Sequence, residues 1–188
     1  MGADGATTVR LCGPLGAELA GRAVALPGRQ GRLAFAYLVV NRRRAVARDE
    51  LVELLWPERL PADPGEALSA LLSRVRRAVG ADVLTGRREL ELVLPPGAWV
   101  DLDAAVDGAE RAEAALAAGE AQAAWGAAAA CGEIAAGGFL AGDDAPWAQE
   151  RRREVAELRL RALEAGAAAG IVLGGARRRF ARAATGCS

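Results

Sequence analysis

The sequence predicts a two-part protein: an α+β first half in which three helices are followed by a hairpin, then an all-α second half built of helical hairpins. Three observations carry this. Short β-like pieces, punctuated by Gly and Pro, precede the first helical stretch. Three stretches with helical spacing lead into two apolar strands around a Gly-Arg-Arg turn. After Asp101, Ala displaces Val, Leu and Pro, and Gly breaks recur at hairpin spacing.

In order, Thr8–Cys12 alternates, Gly13-Pro14 interrupts it, and the pieces Ala17–Ala20 and Ala23–Leu26 follow, so a small strand meander is expected. From Arg29 to Asn41, Leu33, Ala36, Tyr37 and Val40 recur at helical spacing, with Phe35, Leu38 and Val39 widening the apolar face. A second helix runs from about Asp49 to Trp56, where Pro57 stops it. A third begins near Pro64, which suits a first turn, and ends before Gly80. Val83-Leu84-Thr85 and Leu90–Leu94 then flank the turn Gly86-Arg87-Arg88. Three helices and a hairpin are the outline of a winged helix-turn-helix, expected over residues 7–98. In residues 99–188, helices are expected near 102–118, 120–136, 147–170 and 172–185, separated at Gly119, Gly137-Gly138 and Gly174-Gly175. Trp125 and the helix-pair spacing point to repeats of the tetratricopeptide kind.

Composition narrows the chemistry. The 188 residues carry 24 cations and 24 acids, with no His, and every cation is Arg. Without imidazole or amine, the common triads, His metal sites and Schiff-base lysines are excluded, and no enzyme, metal or cofactor is expected. Asp143-Asp144 has no third ligand nearby, so a turn or cap before Pro146 is the reading. Cys12, Cys131 and Cys187 show neither CxxC spacing nor a disulfide framework and read as reduced thiols. The start lacks a basic-apolar signal pattern, and the apolar run Leu33–Val40 is far short of the ~20 residues of a membrane helix, so a cytoplasmic protein is expected with no membrane partner. Neutrality also hides an asymmetry: residues 1–100 hold 14 Arg against 11 acids, and residues 101–188 hold 10 against 13.

On the third helix, Leu68, Leu72, Val75 and Val79 form one stripe. The opposite face collects Ala70, Ser73, Arg74 and Arg77, with Ser69 and Arg76 on a flank. Small residues let a helix backbone sit close in a major groove, and Arg pairs bidentately with guanine or reaches phosphate. Arg87 and Arg88 would touch the neighbouring backbone or minor groove from a wing tip. A solvated charged face gives the same pattern, and Glu66 on that face opposes phosphate. The remaining Arg clusters do not discriminate. Arg42–Arg44 complements a helix C-terminus, Arg151–Arg153 pairs with Glu150, Glu154 and Glu157, and Arg177–Arg179 with Arg182 reads as a wet helix face.

The blocks Leu26-Pro-Gly-Arg-Gln-Gly-Arg-Leu-Ala-Phe-Ala-Tyr-Leu-Val-Val-Asn41, Val46-Ala-Arg-Asp-Glu-Leu-Val-Glu-Leu-Leu-Trp-Pro57 and Ala67–Gly80 resemble regulators of the Streptomyces antibiotic regulatory protein type. The second half, with Val100-Asp-Leu-Asp103, Phe139–Trp147 and Arg152–Glu164, resembles that family's bacterial transcriptional activator domain. The resemblance covers most of residues 8–170. It implies an OmpR-type winged helix and tetratricopeptide-like hairpins acting on double-stranded promoter DNA. In such proteins the third helix reads, here through Ser73, Arg74, Arg76 and Arg77, and the loop Glu58–Asp63 faces RNA polymerase.

Four features depart from the family pattern. Leu71 stands on the reading helix where a polar residue is usual, at the edge of the buried stripe. The wing has Arg88-Glu89-Leu90 in place of Gly-Gly-Tyr, and Ala47 stands where Ser or Thr would cap the second helix, at a typical cost of ~1 kcal/mol. The helical half carries fewer hairpins than the family's, so a homodimer is expected to cover the last helix pair. Two functions are therefore weighed: a DNA-binding transcriptional regulator, and a winged-helix remnant of little DNA affinity that serves as a helical protein-interaction module. No receiver domain is expected before the winged helix, because only about seven residues precede its first strand.

Overall fold

The computed structural model describes residues 5–185, with side chains described through residue 174. In chain order the elements are β1 (Thr8–Arg10), β2 (Gly16–Leu19), β3 (Arg22–Ala23), α1 (Gly28–Val40), β4 (Val46–Ala47), α2 (Arg48–Leu55), α3 (Pro64–Val79), β5 (Leu84–Thr85), β6 (Glu89–Leu92), β7 (Trp99–Val100), α4 (Asp101–Ala117), α5 (Ala121–Ala136) and α6 (Pro146–Thr185). They form two compact units: Met1–Val100 with Leu140–Glu150, and Asp101–Phe139 with Arg151–Ser188. The second unit therefore begins two residues after the expected cut at 98, and the stretch Leu140–Glu150 belongs to the first.

The first unit is a winged helix-turn-helix. Its opening sheet has the order β3-β2-β1-β7. β1 and β2 pair antiparallel with Val9 opposite Ala17, whereas β7 joins β1 in parallel with Val9 opposite Val100. The second sheet has the order β4-β6-β5. Two of these strands, β4 and β7, are two residues long and lie outside the expected meander and hairpin; partner strands, not a sequence pattern, define them.

The helices follow local chemistry. Asp63 caps α3 by accepting from the Glu66 N–H at 2.8 Å, and Pro64 occupies the first turn, where its missing donor costs nothing. Gly80, at φ 107°, ends the helix in a conformation that a side chain disfavours. Ala47 precedes α2 without a side-chain cap, as expected, and Asp49 and Glu50 supply first-turn carboxylates instead. The core joins Val9, Leu11, Leu33, Phe35, Leu38, Leu51, Leu55, Leu68, Leu72 and Val75 with Leu84, Leu90 and Leu92 of the hairpin, all essentially inaccessible to water. Leu71 is also buried, at 3% exposure. This agrees with its expected place at the edge of the buried stripe: at three residues from Leu68 and four from Val75, it widens that stripe toward the core.

Residues 140–150 return to the first unit and fasten there. The Leu140 N–H donates to the Leu11 carbonyl at 2.8 Å and the Ala141 N–H to the Gly13 carbonyl at 3.0 Å. Asp143, 7% exposed, meets Arg29 at 3.3 Å and Arg32 at 3.6 Å, both from α1. Trp147 sets its ring edge-on to Tyr37 at 5.1 Å. Asp143 sits in a turn, its N–H donating to the Leu140 carbonyl at 3.2 Å, and its carboxylate ties this strap to α1; among the described residues no cluster of acids and thiols could hold a metal.

In the second unit, α4 and α5 form an antiparallel hairpin whose turn passes through Gly119 at φ 77°. α6 begins in the first unit and continues through the second, where it packs on this hairpin in small-residue layers: Ala105, Ala109 and Cys131 with Leu158 and Ala162; Ala112 and Ala128 with Ala165; Ala121 and Ala124 with Ala169. Ala and Gly permit this closeness; a Cβ on Gly108 would stand 3.1 Å from that of Cys131. Arg161 and Glu113 close the outside with a two-pronged ion pair at 2.7 and 2.8 Å.

The expected break at Gly174-Gly175 does not occur: α6 is continuous through Thr185. Each helical Gly costs only about 1 kcal/mol relative to Ala, and the flanking Leu and Ala residues favour helix strongly enough to carry it. Cys12 and Cys131 are free thiols, as expected, while Cys187 lies outside the described residues and the side chains of Arg177–Arg179 and Arg182 lie outside the described side chains. No helix among the described residues is long and apolar enough to cross a membrane.

Candidate nucleic-acid interface

α3 buries Leu68, Leu71, Leu72, Val75 and Val79 and leaves Glu66, Ser69, Ala70, Ser73, Arg74 and Arg77 exposed. The amphipathic division is therefore the one the spacing predicts, and Ala70 and Ser73 present little bulk beside the two exposed Arg side chains. No side-chain hydrogen bond or ion pair engages Ser73, Arg74 or Arg77 among the described residues. Glu66, in the first turn, occupies the end of this face, where an acid complements the helix dipole.

β5 and β6 pair with Leu84 opposite Leu92 and Thr85 opposite Glu91. Between them, Gly86 turns at φ 86°, and a Cβ there would collide with the Glu89 carbonyl. The replacement of Gly-Gly-Tyr by Arg88-Glu89-Leu90 therefore preserves a closed wing, with Arg87 and Arg88 exposed at its turn.

Two of the sequence-predicted site residues have other work. Arg76 turns toward the wing: its Nε donates to the Leu84 carbonyl at 3.1 Å and an amino group to the Gly86 carbonyl at 2.5 Å. Arg76, expected from the sequence to contact DNA, thus braces the hairpin with its guanidinium. Ser69 donates its hydroxyl to the Gly65 carbonyl at 2.7 Å and accepts from Arg48 at 2.7 Å. The sequence reading missed Arg48 altogether. The signal was present: a cation at the first position of a helix opposes the helix dipole and calls for another reason.

Arg44 bridges α1 and α2 through Tyr37 and Glu50. It reaches both Glu50 oxygens, at 2.5 and 3.0 Å, and the Tyr37 hydroxyl also donates to Glu50. The Arg44 hydrogen bond holds the Glu50 carboxyl below its usual range against the opposing effect of burial. Burial, with the adjacent carboxylate, raises the Tyr37 hydroxyl. Arg42 donates to the Val39 carbonyl at 3.0 Å, the helix-end role expected of it. In the second unit Arg151 pairs with Glu154 at 2.6 Å, whereas Arg152 donates to the Phe139 carbonyl at 3.0 Å.

A third helix with an exposed Arg-bearing face, next to a cation-tipped hairpin and followed by a helical unit, defines an OmpR-type winged-helix protein with an appended helical domain. The regulatory protein AfsR of Streptomyces coelicolor is 32% identical to the chain over 163 residues, 86% of this chain and 16% of that protein. The AfsR of Streptomyces griseus is 27% identical over 135 residues, covering 72% of this chain and 14% of its own length. Mycobacterium tuberculosis EmbR, solved in complex with a low-affinity phosphopeptide, shares the fold at TM-score 0.78 and 26% identity, covering 94% of this chain and 48% of that one. No family model matches the chain. The chain belongs to the Streptomyces antibiotic regulatory protein type of transcriptional regulators. It spans about a sixth of the AfsR proteins and about half of the EmbR chain.

Proposed function

We propose that the protein is a DNA-binding transcriptional regulator whose α3 enters the major groove of promoter DNA while the wing turn meets the flanking backbone. The observation that carries this reading is the unengaged set Ser73, Arg74 and Arg77 on the exposed face of α3. Arg87 and Arg88 at the closed turn supply the phosphate contacts. The loop Glu58–Asp63, exposed and including Leu60 at 56% exposure, is the surface offered to RNA polymerase, and activation is the expected direction of regulation. A homodimer on the DNA completes the reading; a strictly monomeric sedimentation profile at high concentration would remove that part alone.

The test is binding to the DNA upstream of the protein's own gene neighbourhood over a salt series. A reader that contacts phosphates loses affinity with a log–log slope of about −0.9 per phosphate neutralised. Arg74→Ala should relax sequence preference at a cost of ~1–3 kcal/mol, and Arg88→Ala should weaken all sequences alike. Weak binding, identical on unrelated DNA, sinks this reading and favours the helical protein-interaction module, whose support is the modest positive charge of the first half and Glu66 on the α3 face.

A further inference from the structure

Arg48 opens α2, where a cation is electrostatically disfavoured, and Ala47 before it supplies no cap. Two unfavourable choices at one helix start are offset by what the side chain reaches. One guanidinium amino group donates to the Ser69 hydroxyl at 2.7 Å and to the Gly65 carbonyl at 3.2 Å, both in the first turns of α3. The other donates to the Arg87 carbonyl at 3.5 Å, and the Arg48 backbone N–H donates to the Arg88 carbonyl at 3.3 Å. One residue of α2 thus holds the start of α3 and the turn of the wing together. Both wing bonds are long individually, but they join the turn at consecutive carbonyls.

We propose that Arg48 is a positioning residue that fixes the wing turn against α3, so that Arg87 and Arg88 meet DNA at a set spacing from Ser73, Arg74 and Arg77. The inference rests on the DNA-reading function proposed above. Ordering the turn before binding removes an entropic cost that a free turn would incur on the DNA. A planar guanidinium suits the task because it spans acceptors lying in different directions; an ammonium on a flexible stem holds its charge but not that fork.

Hydrogen exchange of the full chain without DNA, compared between the parent, Arg48→Ala and Arg48→Gln, tests the positioning. In Arg48→Ala the amides of residues 86–89 should exchange about tenfold faster, equivalent to about 1.4 kcal/mol of local opening, while those of β1 and β2, the internal control for folding, stay as in the parent. Arg48→Gln should lie between. A DNA-binding cycle of Arg48→Ala, Arg88→Ala and the double variant then tests the functional consequence. Loss of the wing's position should make the two effects markedly less than additive, and Arg48→Lys should fail to restore affinity. Turn exchange equal to the parent, additive losses, or full rescue by Lys would overturn the proposal, the last two outcomes pointing to a direct phosphate contact by Arg48. If the parent chain binds no DNA, the regulator reading falls, whereas the exchange result still decides whether Arg48 positions the turn.

Discussion

Arg76→Ala separates bracing from reading on the same helix. The side chain makes two charge-assisted hydrogen bonds to main-chain carbonyls, at 3.1 and 2.5 Å, and one of these belongs to Leu84, a buried residue of β5. Hydrogen bonds to charged groups contribute about 1.5–3 kcal/mol when well buried, and partial exposure of this guanidinium brings the pair to a combined loss of about 1–2 kcal/mol. For a chain of this length that is a fall in Tm of roughly 2–8 °C. Urea unfolding followed by circular dichroism measures the stability, and fluorescence anisotropy on specific and unrelated duplexes measures the binding. Affinity should fall on both duplexes together through the loosened wing, leaving their ratio intact. A variant whose stability stays within about 0.5 kcal/mol of the parent, the range of ordinary surface changes, but whose sequence preference collapses would show that Arg76 reads bases and that the bracing argument is wrong.

Leu71→Ala should destabilise by about 2–5 kcal/mol, the cost of a core cavity, whereas Ser73→Ala two residues later stays within about 0.5 kcal/mol; equal small effects in urea melts would return Leu71 to the surface. Glu50 titrates below the ordinary carboxylate range in the folded chain because Arg44 bonds it, so its stabilisation is present above the unfolded value near pH 4.5 and is lost as pH falls through the folded one. Glu50→Gln should therefore flatten the acid limb of a stability–pH profile, and an unchanged limb would remove that linkage. Gly108→Val places a side chain against Cys131 and should cost about 1–3 kcal/mol by overpacking, read as an earlier urea midpoint; a neutral result would mean that α4 and α5 separate without cost.

The three helices of the winged unit were legible to within about a residue because the apolar period marks each one and three ends carry a chemical mark: Pro57 after α2, Pro64 at the start of α3 and Gly80 after it. The division of α3 into a buried stripe and an exposed Arg face was legible for the same reason, since helical geometry alone sorts it. β4 and β7 were not, because two residues cannot display a period and their status comes entirely from β6 and β1. Residue type misled at Gly174-Gly175, where flanking propensity overrode it. The reach of Arg76 and Arg48 was hidden for a different cause. A long side chain on the flank of a helix can bond inward or outward, and only the position of the hairpin carbonyls decides which. Asp143 was visible as an acid but not as the partner of two Arg side chains more than a hundred residues earlier.

The strap changes what counts as a removable part. The chain leaves the first unit at Val100, comes back at Leu140 and departs again after Glu150, so the helical unit starts as an insertion and ends as an extension. Cutting at residue 98 would take away β7, the parallel neighbour of β1, together with the backbone bonds to Leu11 and Gly13 and the anion between Arg29 and Arg32. A fragment that holds the whole winged unit is therefore discontinuous in sequence. Residues up to 100 and residues 140–150 both belong to that unit, so moving it between proteins requires both pieces to travel together.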